Sequence, residues 1–155
     1  MTGRLSEEMR RVIAEQRLAF VATVCPDGTP NVSPKGTLAV WDDEHLVFLD
    51  LRSPRTMRNI AANPAMEVNV VDPILRKGYR FKGTATIVSA GPELERILDF
   101  YKRPPGSARD RVRAAVIMHV KRAAPLISPA YDLGASEEEV AARWRDRHLG
   151  LVRPL

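Results

Sequence analysis

The sequence predicts a mainly β domain with flanking helices, an α+β fold in which six short antiparallel strands form a closed or nearly closed barrel. The first observation is a series of short apolar or alternating runs, such as "LAFVATVC" and "AMEVNVV", separated by turn sequences such as "PDGT". The second is the length of 155 residues, which is typical of one domain and sufficient for a single packed core. The third is the number of strands, because a sheet of several short strands avoids exposed edges by closing.

The elements are expected in the order helix, three strands, helix, two strands, helix, strand and helix. The first helix is predicted at residues 6–16, where apolar side chains recur on one face. The strands are expected in the runs "LAFVATVC", "PNVSPKGTLAVW", "HLVFLDL", "AMEVNVV", "YRFKGTATIVS" and "AAVIMHV". A helix that starts at Ala108 is the alternative for the last of these runs.

The other three helices have clear boundary signals. The second is predicted at residues 54–62 and is ended by the Asn63-Pro64 pair. The third lies in "GPELERILDFYKR", and the fourth lies in "SEEEVAARWRDRHLG", which opens with a capping box between Ser136 and Glu139. Residues 1–155 are therefore expected to form one domain with a C-terminal helical extension at about 125–155.

The net charge of +5 is concentrated in one segment. Residues 52–82 contain seven basic and two acidic side chains, which accounts for the whole excess. This concentration favours one anionic ligand near the middle of the chain over a generally basic surface. No nucleic acid is expected as a partner, because the sequence has no helix-turn-helix pattern, zinc-finger spacing or aromatic RNA-binding motif. A small nucleic-acid-binding barrel that uses the basic segment is the third-ranked alternative.

Neither a membrane nor an oxidising compartment is indicated. No apolar run approaches the roughly 20 residues that span a bilayer, and the N-terminus lacks the apolar stretch of a secretory signal. The single cysteine, Cys25, allows no intrachain disulfide. We therefore expect a cytoplasmic protein with no membrane partner.

The stretch "DLRSPRTMRNIAANP", residues 50–64, places arginines at a helix start, where the dipole favours acidic side chains. Ser53 is the expected N-cap and Pro54 the first helical residue. The free N–H groups of the first turn, the hydroxyls of Ser53 and Thr56, and the guanidinium of Arg55 would together bind a phosphate. The alternative is a simple cap with solvated arginines, and the concentration of charge favours the phosphate.

The run "NVSPKGT" contains a second group of candidates. Ser33 and Lys35 share a face by strand periodicity, and Lys35 beside a bound ring would stabilise negative charge that develops on it. Pro34 indicates an edge, bulge or bend, and Gly36 permits a flat ligand to approach the backbone closely. The alternative is a kinked edge strand whose exposed lysine prevents aggregation.

Few other residues point to a site. Arg80 and Lys82 share one face of the fifth strand, where solvation is the default. No metal site is predicted, because the histidines, at positions 45, 119 and 148, do not have the spacing of metal ligands. Cys25 is expected to be a buried inert thiol. Trp144 would either pack the last helix onto the barrel or close over a ring bound by a partner subunit.

Residues 17–89, and more weakly 116–120, resemble the flavin-binding split barrels similar to pyridoxamine 5'-phosphate oxidase. The resemblance is carried by the basic residue in "SPKG", the "SPRT" run that opens the second helix, and the basic pair in "YRFKG". It implies a six-stranded antiparallel split β-barrel of the FMN-binding type and a homodimer with the flavin at the subunit interface. The cofactor-binding residues expected from these motifs are Ser33, Pro34, Lys35, Gly36, Asp50, Ser53, Arg55, Thr56, Arg80 and Lys82.

The expected function is that of an FMN-binding oxidoreductase that transfers electrons between a reduced donor and a small-molecule acceptor. FAD and the deazaflavin coenzyme are the alternative cofactors. The alternative function is a non-catalytic module on the same barrel that binds or senses flavin, deazaflavin or haem. No proton-transferring side chain is predicted, because hydride transfer to a flavin does not require one. Lys35 is the candidate for stabilising the anionic reduced flavin.

Overall fold

A curled antiparallel sheet with helices around it makes up the part of the chain that the computed structural model describes, residues 4–102 and 108–152. The helices described are α1 (Glu7–Gln16), α2 (Pro54–Ala62), α3 (Gly91–Phe100) and α4 (Glu137–Leu151). The strands are β1 (Ala19–Val24), β2 (Pro30–Lys35), β3 (Ala39–Val40), β4 (His45–Asp50), β5 (Ala65–Asp72), β6 (Lys77–Val88) and β7 (Ala114–Ile127).

The sheet order explains why the barrel is split. The strands run in the order β2-β1-β5-β6-β7-β4-β3, and each neighbouring pair is antiparallel. The two edge strands, β2 and β3, follow one another in the chain. Because four residue steps separate Lys35 from Ala39, these edges lie within about 14 Å of each other. The sheet must therefore curl on itself, which confirms the predicted split-barrel fold.

The strand β6 shows how the sequence pattern selects the two faces. Phe81, Gly83 and Ala85 are buried, whereas Arg80 and Lys82 are exposed on the outer face. The pairing of β6 with β7 shifts between Lys82 and Gly83. A Cβ atom at Gly83 would lie 1.9 Å from the carbonyl oxygen of His119, so only glycine fits at this shift.

Two apolar clusters hold the fold together. The larger fills the barrel interior around Phe48, Phe81 and Met118. The smaller lies between α3 and the outer face of β4 and β7, where Ile97 packs with Val47. The outer face of the remaining strands has no comparable cluster among the described residues, and it stays open to a ligand or a partner.

The observed strands differ from the prediction in number and length. There are seven strands among the described residues, one more than expected, because the run predicted as one strand breaks at Gly36 into β2 and β3. The strand β7 continues to Ile127, well beyond the predicted end near Val120, because residues 122–127 still pair with β6. The alternative helix at Ala108 is wrong, since Ala108–Arg111 forms a short 3₁₀ turn and the strand β7 begins at Ala114.

The helices follow the prediction closely. The start and end of α2 match residues 54–62, and α1 begins directly after its cap, Ser6. The C-terminal extension starts as strand and turn, and its helix begins only at Glu137. Arg103, the last residue of the predicted third helix, lies outside the described residues. Within the described ranges, no helix has the length and apolar character needed to cross a bilayer.

Candidate cofactor-binding site

A buried lysine joins β2 to the start of α2. Lys35 is 5 % exposed, and its Nζ donates to Ser33 Oγ and to Ser53 Oγ, each at 2.6 Å. Because an ammonium can only donate, both serine oxygens act as acceptors in these bonds. The hydroxyl hydrogens of Ser33 and Ser53 are therefore available to an anion placed beside them.

Asp50 fixes the turn that carries Ser53. This residue ends β4 and is 5 % exposed, and its Oδ1 accepts the backbone N–H of Ser53 at 3.0 Å. Burial lowers the pKa of Lys35, and the nearby negative charge of Asp50 acts in the opposite direction. The structure thus brings together four of the predicted residues: Ser33, Lys35, Asp50 and Ser53.

The start of α2 is electropositive and incompletely capped. Ser53 makes no side-chain cap bond to the helix, Pro54 occupies the first turn, and no acidic side chain lies there. The first-turn N–H groups of Arg55 and Thr56 have no partner inside the helix. The side chains of Arg52 and Arg55 are exposed beside them. A second positive charge, the Lys35 ammonium, lies against the same end.

Arg55 extends from this helix start toward the turn between β1 and β2. Hydrogen bonds from Thr29 are the main reason for the lowered pKa of Asp27 in that turn, and the charge of Arg55 adds to the effect. Since Arg55 is exposed, its guanidinium remains accessible to a ligand at the end of α2.

The hydroxyl of Thr56 lies inside the protein and does not face the ligand side of α2. Thr56 is 2 % exposed, and its Oγ1 accepts from Asn31 Nδ2 at 3.5 Å. Thr23 Oγ1 accepts from Asn31 Nδ2 at 3.2 Å and from Asn59 Nδ2 at 3.0 Å. These amides and hydroxyls anchor α2 on β1 and β2, so Thr56 would contribute its backbone N–H to an anion.

The sequence-based reasoning missed this anchoring network. Asn59 follows Thr56 by three residues, so both lie on one face of α2. In the sequence, the available signal for this network was the helical spacing of these two polar residues. Its partners on β1 and β2 follow only from the strand register.

Pro34 and Gly36 flank Lys35 in different environments. Pro34 lies on the outer face of β2, where it pairs with Phe20 of β1, so it faces away from the Lys35 ammonium. Gly36 is exposed, and a Cβ added there would meet no heavy atom within 4 Å. The open space around Gly36 is consistent with close approach of a flat ligand.

Arg80 and Lys82 lie on the opposite face of the sheet from Lys35. Glu67 on β5 pairs with both, at 2.8 Å to Arg80 and 3.6 Å to Lys82. Together with Arg122 these side chains line a groove of about 180 Å³. Within a single chain this basic groove does not meet the Lys35 cluster, because the two lie on opposite faces of the sheet.

A larger cleft lies beyond the link between β2 and β3. It has a volume of about 670 Å³, within the range of small-molecule sites. Gly36 and Thr37 form one wall, and Trp41 and Phe100 provide aromatic surface, with ring centroids 5.5 Å apart. The basic side chain of Arg17 lies at its border.

Trp144 packs against its own chain. The guanidinium of Arg76, in the turn between β5 and β6, lies 4.1 Å from the centre of the indole ring. This contact favours the interpretation that Trp144 holds α4 on the barrel. Cys25 is a free, half-buried thiol whose Sγ accepts from Asn59.

Comparison with known proteins places this fold and site in a family. The family model of pyridoxamine 5'-phosphate oxidase matches residues 5–125. The chain belongs to the pyridoxamine 5'-phosphate oxidase family. The match includes the Lys35 cluster, α2 and the basic groove, so the main features of the candidate site lie within the family's region.

Three members or neighbours of this family illustrate the similarity. The crystal structure of HupZ from Group A Streptococcus is 35% identical, covers 79% of this chain and 94% of its own, and superposes with a TM-score of 0.70. The structure of an F420 reductase is 28% identical, with coverage of 77% and 98% and a TM-score of 0.58. MJ0282, an uncharacterised protein of Methanocaldococcus jannaschii, is 32% identical over 94 residues, which are 59% of this chain and 62% of that protein.

Proposed function

We propose that this protein is an FMN-binding oxidoreductase that transfers electrons between a reduced donor and a small-molecule acceptor. The observation that carries the proposal is the position of Lys35. Its ammonium lies against Ser53 at the positive end of α2. There the Lys35 ammonium, the Arg55 guanidinium and the positive end of the helix dipole repel one another. A bound phosphate would relieve this repulsion, because its charge exceeds that of the dipole.

The donors at this end of α2 fit a phosphate group. Ser53 would donate its hydroxyl hydrogen, and the backbone N–H groups of Arg55 and Thr56 would point at the anion. Arg55 would add a planar guanidinium that matches two phosphate oxygens. Asp50 would hold Ser53 in place through the backbone and would not contact the anion itself.

The flavin, when bound, would supply the electron-transfer chemistry, and the protein would supply binding and electrostatics. Lys35 is buried and positively charged, so it would favour a ligand that gains negative charge on reduction. Gly36 would let a flat ring lie along the backbone beyond β2. These roles require no proton transfer by a side chain.

We also propose a homodimer with the cofactor at its interface. The outer face of β1 and β2 exposes Phe20 by 47 %, Val24 by 37 % and Val32 by 61 %. An apolar surface of this kind on paired strands is typical of a protein interface. The basic groove lined by Arg80 and Lys82 lies on the same face of the sheet as Phe20 and Val32, so a second copy seated there would also cover this groove.

The cleft beside Gly36 is the proposed place of the small-molecule substrate. Its volume of about 670 Å³ suits a small organic molecule, and Trp41 and Phe100 offer aromatic surface. It shares the link between β2 and β3 with the Lys35 cluster, so a molecule there would lie next to the flavin ring.

Adding FMN to the purified protein tests cofactor binding. We expect a shift of the flavin absorption bands and quenching of flavin fluorescence, with saturation at one FMN per chain. An absence of both signals would end the proposal. Mass identification of any cofactor that copurifies distinguishes FMN from FAD and from a deazaflavin.

The second candidate function is that of a deazaflavin-dependent or non-catalytic binding module on the same barrel. The similarity to an F420 reductase favours this alternative, and the basic groove would attract an anionic coenzyme. Titration with F420 and with FMN in parallel separates the two cofactors. Bound flavin that neither NADH nor NADPH reduces would favour a binding or sensing role over catalysis.

A further inference from the structure

Two histidines that are far apart in the sequence lie side by side at the other end of the barrel. His45 of β4 and His119 of β7 are directly paired, their ring centroids are 5.0 Å apart, and their ring planes differ by 30°. His45 and Asp50 lie at opposite ends of β4, so this pair is roughly 17 Å along the strand from the end that carries Asp50. It is therefore separate from the proposed cofactor site.

A carboxylate orients one of the two rings. The two oxygens of Asp42 lie 2.8 Å and 3.0 Å from His45 Nδ1. Because an ionised carboxylate only accepts, the hydrogen of this contact lies on His45 Nδ1, and Nε2 is the ring nitrogen that Asp42 does not engage. Asp42 itself is fixed by the backbone N–H of Glu44, which donates to Oδ1 at 2.9 Å. A carboxylate behind an imidazole is the usual arrangement of a metal-binding histidine.

The neighbouring carboxylate of Asp43 is already paired, so the two imidazoles are the candidate ligands for a metal ion. Asp43 is engaged by Arg4 at 2.9 Å and by Arg10 at 2.7 Å, so its charge is already compensated. His119 is exposed, so solvent reaches its ring. Two nitrogens that bind one zinc ion lie about 3.3 Å apart, so metal binding requires the two stacked rings to tilt toward each other.

We propose that His45 and His119 form a binding site for a divalent transition metal such as Zn²⁺, with Asp42 as the positioning carboxylate. Imidazole ligands select zinc, copper or nickel over magnesium and calcium. In the residues that the structure describes, no group of three or more histidine, cysteine, aspartate and glutamate side chains converges on one point. Water would therefore complete the coordination, and the site would be open to solvent.

Calorimetric titration of the full chain with ZnCl₂, after dialysis against a chelator, tests this proposal. We expect saturable binding of one Zn²⁺ per chain. His45→Ala and His119→Ala should each weaken binding by at least roughly tenfold, and Asp42→Asn should weaken it by about tenfold. His148→Ala, which removes the other histidine, is the matched control and should bind like the original protein.

Two results would overturn the assignment. One is the absence of saturable Zn²⁺ binding to the original protein, and the other is unchanged binding after both His45 and His119 are replaced. Far-UV circular dichroism of each variant shows whether it has kept its fold. If a single alanine variant unfolds, His119→Gln is the substitute, because it keeps a polar side chain of similar length without the imidazole. Zn²⁺ affinity should be the same with and without saturating FMN, since the two sites are separate.

Discussion

Replacement of Ser53 tests how the start of α2 is built. A serine at an ordinary N-cap contributes about 1 kcal/mol through its bond to the helix backbone. Ser53 makes no such bond, and its Oγ instead accepts from the Lys35 ammonium at 2.6 Å. We therefore expect Ser53→Ala to destabilise the protein by removing a partner of a buried charge.

The size of this effect follows from the burial of Lys35. A hydrogen bond to a charged group contributes about 1.5–3 kcal/mol, and Lys35 is only 5 % exposed, so water replaces the lost partner poorly. For a chain of this length the loss corresponds to a fall in Tm of about 3–12 °C. In a Lys35→Met background the same serine replacement should cost less than about 0.5 kcal/mol, because the charge is gone.

Urea unfolding of the four proteins of this double-mutant cycle, followed by far-UV circular dichroism, measures the coupling. All four are compared at one protein concentration, since a dimer's stability depends on it. Ser33→Ala is the parallel variant, because Ser33 contacts the same ammonium at the same distance but does not lie at the helix start. It should show a similar coupling energy with Lys35→Met. If Ser53→Ala costs as much in the Lys35→Met background as it does with the lysine present, the serine acts as a simple cap and the reasoning is refuted.

Three further predictions concern the backbone, the interface and pH. Gly36→Ala should leave the free energy of unfolding within about 0.5 kcal/mol but weaken FMN binding, because only a ligand would meet the new methyl group; equal FMN affinity contradicts this. Phe20→Glu should convert a dimer to a monomer in sedimentation, whereas Leu133→Glu, exposed elsewhere, should not. Because burial lowers the pKa of Lys35, this lysine binds its proton more tightly in the unfolded chain than in the folded one. The free energy of unfolding should therefore rise with pH between that lowered pKa and 10.5. Lys35→Met should lack this rise.

Local patterns in the sequence predicted much of the fold. The boundaries of α2 follow from Pro54 and from the Asn63-Pro64 pair, which act within a few residues. Strand periodicity put Arg80 and Lys82 on one face of β6 with solvation as the default, and both side chains are exposed in the structure. The shared face of Ser33 and Lys35 follows from strand periodicity, and their hydrogen bond confirms it.

Features that depend on long-range pairing were not predictable in this way. The contact of Lys35 with Ser53 requires the curl of the sheet that brings β2 beside α2. The outward position of Arg80 and Lys82 relative to Lys35 follows only from the register across β1, β5 and β6. The pairing of His45 with His119 likewise depends on the register of β4 with β7, which no spacing in the sequence reveals.

The measurement that tests the central claim most directly compares the affinities of FMN and riboflavin, which differ only by the phosphate. Each hydrogen bond to a charged group contributes about 1.5–3 kcal/mol, or roughly 10- to 150-fold in affinity. We predict that the original protein binds FMN at least roughly tenfold more tightly than riboflavin. Arg55→Ala should reduce this preference by about tenfold while it leaves riboflavin affinity nearly unchanged. Equal affinity for the two flavins, or equal losses in the variant, would contradict a phosphate site at the start of α2.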